Sequence, residues 1–293
     1  MISIGAEGIA VAMEPSRGGK ITSLLDRSTG REWLEASAGP LEGPVDKGAL
    51  FDEGDMCGWD EMMPTIEACR YPGTDIELAD HGELWRTAWS VTTSDAASVT
   101  TLARDEVLGY SFERTLRVIG STLRLDYRVV NEADVERALL WAAHPLFAQR
   151  PGTRVILDAN EFDMGASQPG GPADPVGSWP VDGVCLGDLA PGQSQKRFAR
   201  LKVAWASVSL IDDDGRYLTM RWDRHDAPFV GIWLDNCSLS RHPVVALEPT
   251  NCHDDALDVA IARGDLDEPW VIAPRGDRQW SLEVEVGVSP ASG

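Results

Sequence analysis

The sequence has 293 residues, 43% of them hydrophobic and 25% charged, so it can bury a large core without disulfides or metal. The formal net charge of −21 argues against nucleic acid or an anionic membrane surface as a partner, because phosphate groups require a basic face. Five irregularly spaced cysteines without a Cys-x-x-Cys pair indicate reduced thiols rather than a disulfide framework or a structural zinc site.

The N-terminal segment lacks the basic and apolar regions of a secretory signal, and the apolar stretches are too short to cross a bilayer. We therefore expect a soluble protein of the cytoplasm.

Alternation of apolar and polar residues with the period of a β-strand dominates the chain. The segment 122–129 shows it well, because Leu123, Leu125 and Val129 would face one side while Arg124 and Arg128 face the other. The same criterion predicts strands, in chain order, at 8–13, 20–26, 89–93, 98–102, 112–118, 122–129, 153–157, 203–211, 217–222 and 281–288. Asp-Asp-Gly at 213–215 predicts a hairpin turn between two of them.

One helix signal is strong. Thr250 or Asn251 is predicted to cap a segment that begins at Asp254, and Leu257 and Ile261 would share one face before a glycine ends the helix. The pattern as a whole predicts a mostly β architecture, with antiparallel sheets and a single domain over residues 1–293.

Two segments interrupt the strand pattern. The segment 168–192 is rich in proline and glycine and contains Trp179, so it is either a surface crossover or a flap whose tryptophan stacks on a ligand. The acidic segment 39–55 leaves the same two alternatives.

The segment 58–89 has the composition of one wall of a sugar pocket. It contains Gly-Trp-Asp-Glu-Met-Met-Pro-Thr-Ile at 58–66 and Asp-His-Gly-Glu-Leu-Trp-Arg at 80–86. Aromatic rings, carboxylates and an imidazole beside glycines and a proline favour irregular backbone, and such loops often carry function.

Four motifs then resemble one known family. They are Arg-Gly-Gly-Lys-Ile-Thr-Ser-Leu at 17–24, Asp-His-Gly-Glu-Leu-Trp at 80–85, Trp-Ala-Ala-His-Pro-Leu-Phe at 141–147 and Ala-Leu-Glu-Pro-Thr at 246–250. In this order and over nearly the whole chain, they resemble the aldose 1-epimerases, the galactose-mutarotase-like proteins. The resemblance implies an all-β fold, a large antiparallel β-sandwich of supersandwich type with few short helices, and a site in an open cleft.

The resemblance also implies site residues. By motif position, His144 resembles the family's general acid, Glu248 its general base and His81 its second sugar-contacting histidine. Opening a sugar ring requires one proton at the ring oxygen while another leaves the anomeric hydroxyl, which an imidazole and a carboxylate can provide. From local context alone, His144 could be a hydrogen-bonded core residue, whereas a carboxylate at the end of a buried strand, such as Glu248, favours function.

Further sugar contacts are predicted from residue type. Asp60 could bond hydroxyl groups, and tryptophans could stack on a sugar face, although most buried tryptophans are structural. The tryptophans considered are Trp59, Trp85, Trp141, Trp179 and Trp233, of which Trp59, Trp179 and Trp233 are the predicted contacts. The asparagine-rich arginine motif of galactose-type relatives is absent before His81. Arg17, Arg70 and Arg86 could bind an anionic sugar, with Arg86 the predicted contact, but the net charge favours a neutral aldose.

The sequence thus predicts a cofactor-independent mutarotase that interconverts the α and β anomers of a free aldose, as a monomer or homodimer. Two alternatives remain, a non-catalytic sugar-binding protein and an enzyme acting on a modified sugar or glycosidic linkage. His242, His253, Asp254 and Asp255 make a metal conceivable, but their spacing fits no ligand motif, so no metal is predicted.

Overall fold

The computed structural model describes residues 1–41, 43–46, 48–53, 56–157, 162–164, 183–185, 189–264 and 270–289. Trp179 and most of the segment 168–192 lie outside the described residues, so both alternatives for that segment remain predictions.

The described part of the chain consists mainly of β-strands. The first twelve are β1 Ile2–Gly5, β2 Ile9–Glu14, β3 Lys20–Asp26, β4 Arg31–Glu32, β5 Trp59–Met62, β6 Cys69–Arg70, β7 Glu77–Leu78, β8 Ser90–Ser94, β9 Ser98–Asp105, β10 Tyr110–Ile119, β11 Thr122–Asn131 and β12 Arg137–Leu139. The others are β13 Ala142–Ala148, β14 Arg154–Leu157, β15 Phe162–Met164, β16 Val184–Cys185, β17 Gln193–Leu201, β18 Trp205–Ile211, β19 Arg216–Asp223, β20 Phe229–Asn236, β21 Val244–Thr250, β22 Trp270–Ile272 and β23 Asp277–Val288. A 3₁₀ turn covers Leu84–Arg86, and the α-helix α1 covers Leu257–Arg263.

These strands form two large antiparallel sheets. The first has the order β1-β2-β3-β5-β13-β21-β20-β17-β15, with β4 beside β3. The second has the order β16-β14-β18-β19-β23-β11-β10-β9-β8. Small two-stranded sheets join β12 to β22 and β6 to β7. Among the helices of the described residues, none is both long and apolar enough to cross a membrane.

Side chains of both sheets share one hydrophobic core. Trp141, just before β13 of the first sheet, lies 5.0 Å between ring centroids from Trp280 on β23 of the second. Tyr127 on β11 stacks on Trp280 at 5.1 Å. The strands that show alternation in the sequence are confirmed, and in β11 the predicted inward residues Leu123, Leu125 and Val129 are buried.

The central strands of the first sheet have a different burial pattern. All residues of β5 and β21 are buried, as are nearly all of β13 and β20. A strand covered on both faces loses the alternation of apolar and polar residues. This explains why period-2 reasoning did not predict β5, β13 or β20.

The helix is confirmed, but its predicted cap is wrong. Helix α1 begins at Leu257, and Ala256 occupies the cap position without a side-chain hydrogen bond. Thr250 Oγ1 instead donates to the Trp141 carbonyl at 2.8 Å, and Asn251 Oδ1 accepts from the Trp141 amide at 2.7 Å. Both side chains hold the start of β13. The predicted stop is confirmed, since Gly264 takes the left-handed conformation with φ 68°.

Candidate functional site

Strand pairing in the first sheet brings the polar residues of three separate motifs into one row. Asp60 on β5 pairs with His144 on β13, and the register between β13 and β21 sets His144 alongside Glu248. Glu248 in turn pairs with Gly231 on β20. Because paired residues on neighbouring strands point to the same face, these side chains share one face of the sheet.

A cavity of about 520 Å³ opens over His144 and Glu248 of this row. Its volume is within the range of small-molecule sites, which is ~300–1,000 Å³. The lining residues are Leu50, Phe51, Asp52, Met56, Ile66, Glu67, Asp80, His81, His144, Lys196, Trp233, Leu239, Glu248 and Asp255. The described parts of the segments 39–55 and 58–89 both contribute to the wall.

His144 and Glu248 meet at the floor of the cavity. His144 Nε2 lies 3.8 Å from Glu248 Oε1, and the two residues are only 4% and 0% exposed. Burial, reinforced by the positive charges of His81, Lys196 and Lys20, lowers the pKa of His144 well below 6.5. His144 Nδ1 has no hydrogen-bond partner among the described residues.

The Glu248 carboxylate forms an ion pair with a lysine that the sequence did not single out. Lys196 Nζ on β17 lies 2.8 Å from Glu248 Oε2 and donates to Asp255 Oδ1 at 2.7 Å. Burial raises the pKa of Glu248, Asp255 raises it further, and Lys196 acts against both. The surrounding sequence, Gln-Ser-Gln-Lys-Arg-Phe at 193–198, contains no local signal of a site.

His81 reaches the cavity from an unusual backbone position. Its φ of 57° lies in the left-handed region, next to Gly82 at φ 69°, where a Cβ would clash with the Met63 carbonyl. His81 Nδ1 lies 2.9 Å from Asp80 Oδ1, and its ring stacks on Phe51 with centroids 4.2 Å apart.

The rings of His81 and His144 are perpendicular, with centroids 5.4 Å apart, so both imidazoles serve one cavity. Burial acts to raise the pKa of Asp80, but the hydrogen bond and charge of His81 together with the Phe51 amide leave it lowered.

Asp60, predicted to contact a sugar, forms a buried ion pair. It is fully buried, does not line the cavity, and accepts a hydrogen bond from Lys20 Nζ at 2.6 Å. Burial raises the pKa of Asp60, against the attraction of Lys20. The ion pair fixes β3 against β5 beside His144.

Of the predicted aromatic contacts that the structure describes, Trp233 lines the cavity and Trp59 does not. Trp59 is fully buried and packs edge-on against Phe147 at 6.5 Å between ring centroids. Trp85 and Trp141 are also core residues.

The arginines considered for an anionic sugar are engaged elsewhere or lie off the lining. Arg86 makes two hydrogen bonds to Glu83, at 2.9 and 2.7 Å, and Arg70 is exposed and bonded to Glu77. Neither these arginines nor Arg17 belong to the described cavity lining.

The residues considered for a metal contact other charged side chains, and Arg263 Nη1 lies near both His253 Nδ1, at 2.9 Å, and Asp254 Oδ2, at 3.1 Å. His242 Nδ1 lies 2.6 Å from Glu35 Oε1, Asp254 pairs with Arg263, and Asp255 pairs with Lys196. Within the described ranges, no three His, Cys, Asp or Glu side chains are grouped as metal ligands.

Comparison with known proteins gives a structural likeness only. No protein-family model and no curated protein matches the sequence. The Slr1438 protein of Synechocystis sp. PCC 6803 has a similar structure, with a TM-score of 0.75 at 15% identity, covering 98% of this chain and 96% of the other.

A galactose mutarotase related enzyme from Lactobacillus acidophilus gives a TM-score of 0.74 at 18% identity, over 99% of this chain and 98% of the other. A galactose mutarotase-like protein from Lactobacillus casei gives a TM-score of 0.74 at 17% identity, over 98% of this chain and 100% of the other. The predicted fold, a mostly antiparallel β-sandwich of the galactose-mutarotase-like type, is confirmed.

Proposed function

We propose that this protein is a cofactor-independent aldose 1-epimerase that interconverts the α and β anomers of a free aldose. The observation that carries the proposal is the meeting of His144 and Glu248, 3.8 Å apart, at the floor of a cavity of about 520 Å³. An acid and a base held this close can serve the two oxygens bound to one anomeric carbon.

The reaction needs two proton transfers and one bond cleavage. Glu248 takes the proton of the anomeric hydroxyl, the bond between the anomeric carbon and the ring oxygen breaks, and His144 protonates that oxygen. The aldehyde rotates about its bond to the second carbon. Ring closure on the opposite face returns both protons, so the residues end as they began.

The active protonation state pairs an imidazolium on His144 with a carboxylate on Glu248. The two opposite charges stabilise each other across 3.8 Å. Because the pKa of His144 is lowered and that of Glu248 is raised, we expect a narrow bell-shaped dependence of kcat/KM on pH.

The cavity wall offers groups to hold the sugar. Trp233 supplies an aromatic face, and His81, whose Nδ1 faces Asp80, leaves Nε2 for a hydroxyl group. The localisation in the cytoplasm and the absence of a nucleic acid partner stay predictions of the sequence.

Exchange between anomers of several aldoses, measured by NMR or polarimetry, tests the proposal. We expect His144→Gln and Glu248→Gln each to slow the exchange by ~10²–10⁴-fold. The matched controls His225→Gln and Glu106→Gln alter exposed side chains outside the cavity lining and should leave the rate unchanged.

Three outcomes decide between the alternatives. Sugar binding without acceleration by the wild type would select a binding protein. Cleavage of a glycoside or turnover of a modified sugar without anomer exchange would select an enzyme that acts on a modified sugar or a glycosidic linkage. Exchange that survives both substitutions at the wild-type rate would refute the assigned acid and base.

A further inference from the structure

Lys196 lies between two carboxylates at the edge of the candidate site. Its Nζ is 2.8 Å from Glu248 Oε2 and 2.7 Å from Asp255 Oδ1, and the residue is 7% exposed. Two carboxylates and one ammonium leave a net negative charge in a largely buried position. Such an arrangement is costly unless it has a structural or functional use.

Neighbouring elements hold Lys196 and Asp255 in place. Lys196 pairs with Trp233 in the register between β17 and β20, and Nζ lies 5.2 Å from the centroid of the Phe198 ring. The carbonyl of Asp255 accepts hydrogen bonds from the amides of Ile66 and Glu67, at 2.9 and 2.8 Å. Asp255 is therefore tied to the wall that also carries His81.

Lys196 contacts one oxygen of the proposed base and leaves the other for chemistry. Glu248 Oε2 faces Lys196, while Oε1 faces His144 at 3.8 Å. The charged or titratable groups around Glu248 are Lys196 from β17, His144 from β13, His81 from the opposite wall and Asp255 from the segment before α1.

We propose that Lys196 is a positioning residue, which holds Glu248 ionised and directs its free oxygen at the anomeric hydroxyl, while Asp255 limits how strongly it does so. This inference rests on the proposed mutarotase function. It adds a role for two residues that neither touch the reacting atoms nor belong to the motifs that resemble the family.

Lys196 and Asp255 should affect the acidity of Glu248 in opposite directions. Burial and Asp255 raise the pKa of Glu248, whereas Lys196 lowers it. Lys196 also lowers the pKa of His144. Removing the lysine charge should therefore move both limbs of the rate profile to higher pH, and removing the Asp255 charge should move the acidic limb to lower pH.

The test is the dependence of kcat/KM on pH for Lys196→Met, Lys196→Arg and Asp255→Asn. For Lys196→Met we expect kcat/KM on the acidic limb to fall roughly tenfold for each pH unit by which the limb moves upward. Lys196→Arg keeps the charge and should return the acidic limb toward its wild-type position. Lys202→Met, on the exposed side of the same region, is the matched control.

If Lys196 has only a structural role, we expect another result. Its replacement would lower kcat/KM by one factor at every pH, with equal losses in Lys196→Met and Lys196→Arg, and that result would overturn the proposal. If Lys196→Met does not fold, Asp255→Asn decides the question alone, because an acidic limb that stays in place or moves upward contradicts the inference.

A second readout separates this inference from the proposed function. The ¹³C signal of the Glu248 carboxyl, assigned by its loss in Glu248→Gln, reports the titration of that group without any sugar. If the wild type accelerates no anomer exchange, the function fails while this titration still tests Lys196. An unchanged Glu248 titration in Lys196→Met and Asp255→Asn would overturn the positioning role even in an active enzyme.

Discussion

Gly231 on β20 lies opposite Glu248 on β21, and a Cβ at Gly231 would come 3.2 Å from Glu248 Oε2. The same added atom would lie 3.4 Å from Glu248 Cβ and 3.3 Å from the ring of Phe198. The missing side chain on β20 therefore provides the space in which the proposed base lies between Lys196 and His144.

Gly231→Ala should disturb the geometry of the base more than the fold. The backbone at Gly231 is not in the left-handed region, so alanine fits the strand, but Glu248 must move by a few tenths of an ångström. Since misplacement by ~1 Å can cost about 10²-fold in rate, we expect kcat to fall up to ~10-fold.

The melting temperature checks that the fold is retained, because a tolerated Gly→Ala change alters stability by only about 0.4–1 kcal/mol. Gly39→Ala is the matched control, since nothing lies within 4 Å of a Cβ there. Full activity of Gly231→Ala would mean that the position of Glu248 does not limit the reaction.

Asp60 should matter for stability rather than for sugar affinity. Asp60→Asn leaves the buried ammonium of Lys20 without its counter-ion, and breaking a buried pair typically costs about 3–5 kcal/mol. We expect urea unfolding to show a loss of this order, while KM of the folded protein stays near that of the wild type.

The double variant Lys20→Met with Asp60→Leu removes both charges and should recover much of the lost stability. A large rise in KM for Asp60→Asn at unchanged stability would instead support the prediction from the sequence that Asp60 contacts the sugar.

The sequence predicts the strands with one buried face better than the strands that are buried on both faces. Strands such as β11 and β23 have one buried and one solvated face, so their alternation is visible locally. The strands that carry Asp60, His144 and Glu248 are buried on both faces, so strand alternation does not mark these residues. The motif resemblance singled out His144, residue type suggested Asp60, and Glu248 stood out both by its motif and as a carboxylate at the end of a buried strand.

The contacts of Lys196 arise from long-range register. Its partner Asp255 is 59 residues away, and the two meet only after β17 has paired with β20 and β20 with β21. No local pattern marks such a residue. Residue type suggested Asp60 as a sugar contact, but it could not show that the Asp60 carboxylate accepts a hydrogen bond from Lys20.

The charge of the cavity leads to a prediction about substrates. Its described lining contains five carboxylates, Asp52, Glu67, Asp80, Glu248 and Asp255, against one lysine that already pairs with two of them. We expect the kcat/KM of an aldose 6-phosphate to be at least ~10-fold below that of the neutral aldose, because a negative cleft repels an anion.

Added salt should narrow the difference, since screening weakens this repulsion. Arg86→Gln should leave both values unchanged, as its guanidinium is bonded to Glu83 and does not line the cavity. The preference for a neutral aldose would be contradicted if the phosphorylated sugar had the higher kcat/KM and if Arg86→Gln lowered only that value.

Glu61 is the centre of a buried network between the two sheets. Its Oε1 accepts hydrogen bonds from Arg114 and Tyr127, and its Oε2 accepts one from the indole of Trp141, each at 3.0 Å. Glu61 and Arg114 are both fully buried. Burial raises the pKa of Glu61 from 4.5 to about 7, although Arg114 and the hydrogen bonds act against the rise.

The raised pKa of Glu61 predicts a pH dependence of stability. The folded protein holds this proton more tightly than the unfolded chain. The contribution of Glu61 to the free energy of unfolding is therefore fully present below about pH 4.5, and it is lost as the pH rises to about 7. We expect the difference in unfolding free energy between wild type and Glu61→Gln to change across this interval, with a slope of at most about 1.4 kcal/mol per pH unit, and to be constant above it. Urea unfolding of both proteins at several pH values measures the difference. Parallel curves would show that Glu61 titrates alike in the folded and unfolded protein, which would contradict the effect of burial that the network implies.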